Sequence, residues 1–150
     1  MTGGPDIHAR VVDEALSIDA LTRAVSRPAA GAIVSFQGTT REVSRLEYEA
    51  YREMAEERIA AILRACVDRH GLEAAAAEHR VGAVPLGEAG VVVAVAAAHR
   101  AEAFAGAREA IDRIKAETPI WKQEVEEDSG RARWVEGTLP HNPEDSEIEP

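Results

Sequence analysis

Apolar residues follow two different spacings along this chain, and the points where the spacing changes divide it into elements. Segment 91–98, Val91-Val-Val-Ala-Val-Ala-Ala-Ala98, is apolar without a break, and its valines favour a strand covered on both faces. Between glycines, residues 31–38 set Ile33, Ser35 and Gln37 against Val34 and Phe36, the alternation of a half-buried strand. Residues 46–51 alternate again, and only residues 39–45 separate the two. The spacing predicts that they pair as an antiparallel hairpin. Segment 7–13 reads as a first strand, and 73–81 as another, ahead of a turn over 84–90.

Helical spacing governs the rest. Residues 17–25 form a short helix capped by Ser17 and stopped before Pro28. Across 54–70, Ala55, Ile59, Ile62, Leu63 and Cys66 share one face, and Gly71 supplies the stop. Over 101–117 a stripe runs through Phe104, Ala107, Ile111 and Ile114. Lys115 falls about 20° from Phe104 around that axis, so it is expected to lean toward the buried side, with Glu109 and Arg113 in water. Pro119 then breaks the helix. Segments 120–126 and 131–136 flank Asp128-Ser-Gly130, a strand–turn–strand signal. The pattern gives one domain over 1–136 and a Pro- and acid-rich tail over 137–150 that is expected to be flexible.

Composition narrows the class. A chain of 150 residues can bury a real core, and a net charge of -10 argues against nucleic acid or an anionic membrane as the main partner. The first eight residues lack the basic start and apolar core of a secretory signal, and no apolar run approaches a membrane span. The single Cys66 excludes an intrachain disulfide framework and a cysteine zinc cage. It reads as a small core residue, and a cytoplasmic, reducing setting is expected.

There is no Walker loop, no glycine triad after a strand, no serine elbow and no paired-histidine zinc motif. The five histidines are scattered, so neither a metal nor a bound cofactor is expected. What remains is a set of cations in an acidic chain: Arg41, His99, Arg100, Lys115 and Lys122. Taken singly, each is most simply a solvated surface charge. Arg100 could pair with Glu102 or Glu126, and His99 could bond a backbone carbonyl. Lys115 either snorkels outward or sits desolvated with a lowered pKa. Lys122 follows Trp121 on a strand, so the two face opposite ways, and if Trp121 packs, Lys122 looks into a groove. His99 and Arg100 stand where a buried strand gives way to a helix start, a place suited to anions. Together the set points to an anion pocket with one or two reactive lysines.

Several runs resemble the large, catalytic subunit of molybdopterin synthase. They are Gly31-Ala-Ile-Val-Ser-Phe-Gln-Gly-Thr-Thr-Arg41, Leu46-Glu-Tyr-Glu-Ala-Tyr-Arg-Glu-Met-Ala55, His79-Arg-Val-Gly82, Ala98-His-Arg-Ala-Glu-Ala-Phe104, Lys115-Ala-Glu-Thr-Pro-Ile-Trp-Lys122 and Arg133-Trp-Val-Glu136. They occur in the family's order from about residue 7 to 136, although the loop before the Leu-Glu-Tyr strand is shortened to Glu42-Val-Ser-Arg45. The resemblance implies an α/β, α/β-hammerhead-like fold, with a mostly antiparallel sheet, two long helices and a C-terminal strand–turn–strand. It implies a sulfurtransferase of molybdenum cofactor biosynthesis that converts cyclic pyranopterin monophosphate to molybdopterin. The sulfur would come from the C-terminal Gly-Gly thiocarboxylate of a ubiquitin-like small subunit. The implied assembly is a homodimer within a heterotetramer. By the same likeness Lys115 and Lys122 are catalytic and also bind substrate, and His99 and Arg100 bind the phosphate side. Thr39, Thr40 and Arg41 form a substrate loop, and Gln123 and Glu124 extend the segment after Lys122. The rival reading is a paralogue that binds the small subunit or an anion without turnover.

Overall fold

The computed structural model describes residues 6–126 and 131–135. In chain order the elements are β1 (Ile7–Val12), α1 (Ile18–Val25), β2 (Ala32–Thr39), β3 (Arg45–Ala50), α2 (Arg52–His70), β4 (Ala74–Arg80), β5 (Gly82–Pro85), β6 (Ala89–Ala97), α3 (Arg100–Glu117), β7 (Ile120–Glu126) and β8 (Arg131–Val135). Local chemistry sets most boundaries. Ser17 accepts a hydrogen bond from the Ala20 N–H and so caps α1. Gly71 ends α2 at φ 64°, a left-handed conformation that glycine enters without steric cost.

The strands form two four-stranded sheets, one in the order β1-β4-β6-β2 and the other β5-β3-β7-β8. Every pairing is antiparallel except β1 with β4, so the expected mostly antiparallel α/β architecture is present. As its composition predicts, β6 is covered on both faces. Val91, Val93, Val95 and Ala97 face the main core with α2 and α3, while Val92, Ala94 and Ala96 face Leu21 and Val25 of α1. Helix α3 meets this core through small residues, Ala103, Gly106, Ala107 and Ala110, followed by Ile111 and Ile114. Cys66 is fully buried in the same core, as expected, and burial pushes its thiol up to about 11.

Three expectations need correction. First, β2 and β3 do not form a hairpin. β2 pairs along its whole length with β6, from Ala32 opposite Ala97 to Thr39 opposite Ala89, whereas β3 lies between β5 and β7 in the other sheet. The fully apolar β6 needs cover along its edge, and β2 supplies it. β3, with Glu47 and Glu49 on alternate positions, suits a sheet with one wet face. Thr40 fixes the parting of the two strands. Its N–H donates to Glu88 O (3.0 Å), its hydroxyl donates to Val84 O (3.1 Å), and its carbonyl accepts from Gly87 N (2.8 Å). Second, the presumed turn over 84–90 contains the end of β5, and the reversal itself is tighter, with Gly87 at φ 86°. Third, the stripe of α3 is rotated. Phe104 is 63% exposed, while Glu109 and Arg113 are half-buried against α2. There Glu109 accepts from His70 (2.8 Å) and Arg113 (3.4 Å), and these partners hold its carboxyl below the usual range.

β7 and β8 pair as expected, but their connecting turn at 128–130, residue 136 and the tail at 137–150 lie outside the described residues. No described helix is long and apolar enough to cross a membrane.

Candidate functional site

Pro119 ends α3 and starts β7, and from there strand alternation assigns the side chains. Trp121 packs edge-to-face on Tyr51, ring centroids 5.0 Å apart, and Lys122 therefore projects to the opposite face. Register identifies its neighbours. Lys122 stands opposite Tyr48 of β3, Glu124 opposite Leu46, and Arg133 of β8 opposite Glu124, all on one face. Lys115 approaches that face from the last turn of α3. Thr39 and Arg41 approach from the exit of β2, where a register shift between Gly38 and Thr39 re-aims the chain. The result is a cleft of about 530 Å³ in which Thr39, Arg41, Lys115, Lys122 and Glu124 meet, joined by Arg133.

The cleft is cationic within an acidic molecule. Arg41, Lys115, Lys122 and Arg133 outnumber the carboxylates Glu42 and Glu124, four against two. Glu124 pairs with Arg133 at 3.1 Å, and Glu42 with the largely exposed Arg41 at 3.2 Å. The two ammonium groups remain for a ligand. Burial lowers the pKa of Lys122, the charge of Lys115 lowers it further, and Glu124 opposes both. An amine of this kind can bind an anion as a cation and can also give up its proton.

Behind the lysines lies a ring pair, one ring buried and the other half-buried. His79 of β4 meets Tyr48 edge-to-face at 4.8 Å. Burial drives the His79 pKa down to about 4 despite a hydrogen bond to the Arg80 carbonyl, and the charges of Lys115 and Lys122 add to the fall. The imidazole is therefore neutral, and because a carbonyl only accepts, Nδ1 carries the proton. Burial also raises the Tyr48 hydroxyl to about 12.

Not every expected residue reaches the cleft. His99 and Arg100 begin α3 whereas Lys115 ends it; sixteen positions at 1.5 Å each set His99 and Lys115 about 24 Å apart. His99 is exposed beside Glu102 at 3.7 Å. Gln123 alternates to the far side of β7. Thr40 is buried and ties the fold as described above. Lys115 is exposed at the cleft mouth: the face it shares with Phe104 is the uncovered one, so of the two readings it takes the snorkelling one. Arg133 and the Tyr48–His79 pair were not among the expected site residues. One signal in composition did point here: of 17 Lys and Arg residues only two are lysines, and both line the cleft.

Comparison with known proteins adds an independent line. The family model described as "MoaE protein" matches residues 11–117. A molybdopterin synthase catalytic subunit of Oryza sativa subsp. indica is 52% identical over 106 residues, covering 67% of this chain and 55% of the rice protein. The chain thus spans about half the length of that relative. Molybdopterin synthase catalytic subunit 1 of Mycobacterium tuberculosis is 41% identical over 134 residues, 85% of this chain and 90% of that protein. Among solved structures, a molybdopterin synthase from Staphylococcus aureus superposes with a TM-score of 0.79 at 32% identity, covering 85% of this chain and 96% of that one.

Proposed function

We propose, since the chain belongs to the MoaE family, that it is the catalytic subunit of a molybdopterin synthase, with the cationic cleft as its sulfur-transfer site. The substrate on this reading is cyclic pyranopterin monophosphate, and the sulfur donor is the C-terminal Gly-Gly thiocarboxylate of a ubiquitin-like small subunit. Both reactants are anions, and the cleft offers Arg41, Lys115, Lys122 and Arg133 to receive them. The donor's sulfur bonds to a side-chain carbon of the bound pterin as a C–O bond at that carbon breaks. Water then cleaves the thioester so formed, which frees the tail as a carboxylate and leaves the sulfur on the pterin. Lys115, at the mouth, moves a proton or briefly holds substrate or tail. Lys122, whose amine loses its proton more readily than an ordinary lysine, orients the thiocarboxylate. One observation carries the proposal: the two lysines of the chain come from different elements and meet in one cleft.

The phosphate-binding role of His99 and Arg100 requires a second copy of the chain, because the length of α3 keeps them from their own Lys115. A two-fold axis across the middle of α3 would run two such helices antiparallel and bring His99 of the partner subunit toward Lys115. An apolar groove of about 330 Å³ lies along that path, lined by Phe36, Phe104 and Ile111 and reaching Lys115 at one end. Phe104 and Phe36 are large exposed apolar residues there. This arrangement agrees with a homodimer at the centre of a heterotetramer.

The test is dithiolene formation by Lys115→Ala with thiocarboxylated small subunit. Turnover is expected to fall at least ~10²-fold while the fold persists. Near-normal turnover would remove Lys115 from the chemistry. Capture of the small subunit with no product from the unaltered chain would favour the non-catalytic reading.

A further inference from the structure

The ring pair behind the cleft has no part in the proposed reaction, yet its placement is specific. Tyr48 is the cross-strand partner of Lys122 and shares its face of the sheet. The Tyr48 ring meets His79 edge-to-face, and a Cβ added to Gly90 would lie 3.1 Å from its ring edge and hydroxyl. Tyr48 is thus held against an imidazole and against a backbone that has no side chain. His79 is 5% exposed, on the core-facing side of β4 with Ala75 and Ala77, and its Nδ1 donates to Arg80 O at 2.9 Å. Ring position and tautomer are therefore both determined.

We infer that His79, acting through Tyr48, is a positioning residue for the Lys122 amine: the two rings form a dry floor that fixes where that amine stands. The inference rests on the reading of Lys122 as a working residue of the cleft. A neutral imidazole suits the position. A cation there would add a third charge behind Lys115 and Lys122, and a smaller side chain would let water reach the amine from below. The other charged groups lining the cleft with Lys122 are Lys115 of α3, Glu124 of its own strand, Arg133 of β8, and Arg41 and Glu42 after β2. All of them stay in place when His79 is changed.

The presence of only two lysines makes a direct test possible. Protein carrying 13C at lysine Cε gives two side-chain resonances, whose pH titrations report each amine whether or not sulfur is transferred. In the unaltered protein Lys122 should titrate below the ordinary lysine value. His79→Ala should raise its midpoint by about one pH unit, and His79→Phe, which keeps a ring against Tyr48, should leave it low. Gly90→Ala presses directly on the Tyr48 ring and should also shift Lys122, which keeps the test open if His79→Ala fails to fold. With thiocarboxylated partner, His79→Ala should lower kcat more than it raises KM. A folded His79→Ala or Gly90→Ala protein with an unmoved Lys122 titration overturns the inference. Shifted titration without any dithiolene product from the unaltered enzyme would instead overturn the sulfur-transfer reading and leave the positioning role intact.

Discussion

Lys122 sits where three influences meet: burial, a neighbouring ammonium group and a carboxylate on its own strand. The first two favour the neutral amine and outweigh the third. Arginine would supply the same charge with more hydrogen bonds, and the chain uses arginine at every Lys/Arg position except this one and Lys115. What arginine cannot do is lose a proton. Lys122→Arg is therefore expected to keep pterin binding within a few-fold and to lower turnover at least ~10²-fold, read from single-turnover rates beside equilibrium binding. Sequence reasoning placed Lys122 correctly, because alternation after Pro119 opposes it to Trp121. It misplaced the orientation of Lys115. Angular separation from Phe104 was sound, but the face that Phe104 marks is uncovered, and a single helix pattern cannot say which apolar face a neighbour will occupy. His79 was invisible as a site residue, since its neighbours Lys115, Lys122 and Tyr48 lie on three other elements.

Among elements, helices and the apolar strand were legible because their signals are local. Ser17, Gly71 and Pro119 punctuate them, and β6 is too uniformly apolar to be anything but covered. Apart from β7 with β8, strand pairing was not legible. The short separation of β2 and β3 invited a hairpin, yet β2 was claimed by β6, and the tie through Thr40 lies 44 residues away in sequence, at Val84. Close approach also governs the start of β2. A Cβ at Gly31 would lie 2.5 Å from the Ala98 carbonyl oxygen, a backbone atom that cannot swing aside. Gly31→Ala should cost about 1–3 kcal/mol in urea denaturation, against the small gain expected from removing a flexible glycine. An unchanged midpoint would mean that the β2–β6 edge relaxes freely.

At the scale of the whole molecule, His79 links the site to stability. Its pKa is about 4 folded and 6.5 ordinarily, so between these values the unfolded chain binds a proton that the folded one refuses. Stability from this group is full above the upper value and is lost as pH falls toward the lower. On this account alone the protein should be about 2 kcal/mol less stable near pH 5 than near pH 7. His79→Phe should flatten that difference in chemical denaturation at the two pH values, since carboxylates such as Glu109 act equally in both proteins. The proposed homodimer is tested at this scale too. Phe104→Asp places a charge in the groove beside α3 and should weaken self-association at least ~10²-fold by analytical ultracentrifugation, with the monomer folded. The stability link of His79 was not legible in the chain, because it arises from packing that exists only once the sheets and helices are assembled. A homodimer was expected from the family resemblance, not from any spacing of residues.

Helix α3 meets the core through Ala103, Gly106, Ala107 and Ala110, and a Cβ at Gly106 would already lie 2.9 Å from Leu72. That face has almost nothing left to shed, so variation there runs in one direction, toward bulk. Each added carbon acts as a shim under a lever whose far end carries Lys115, tilting the amine away from its counterpart on β7. Alanine-to-valine drift along this seam would therefore detune the chemistry and, by overpacking the core, lower stability by about 1–3 kcal/mol at each position.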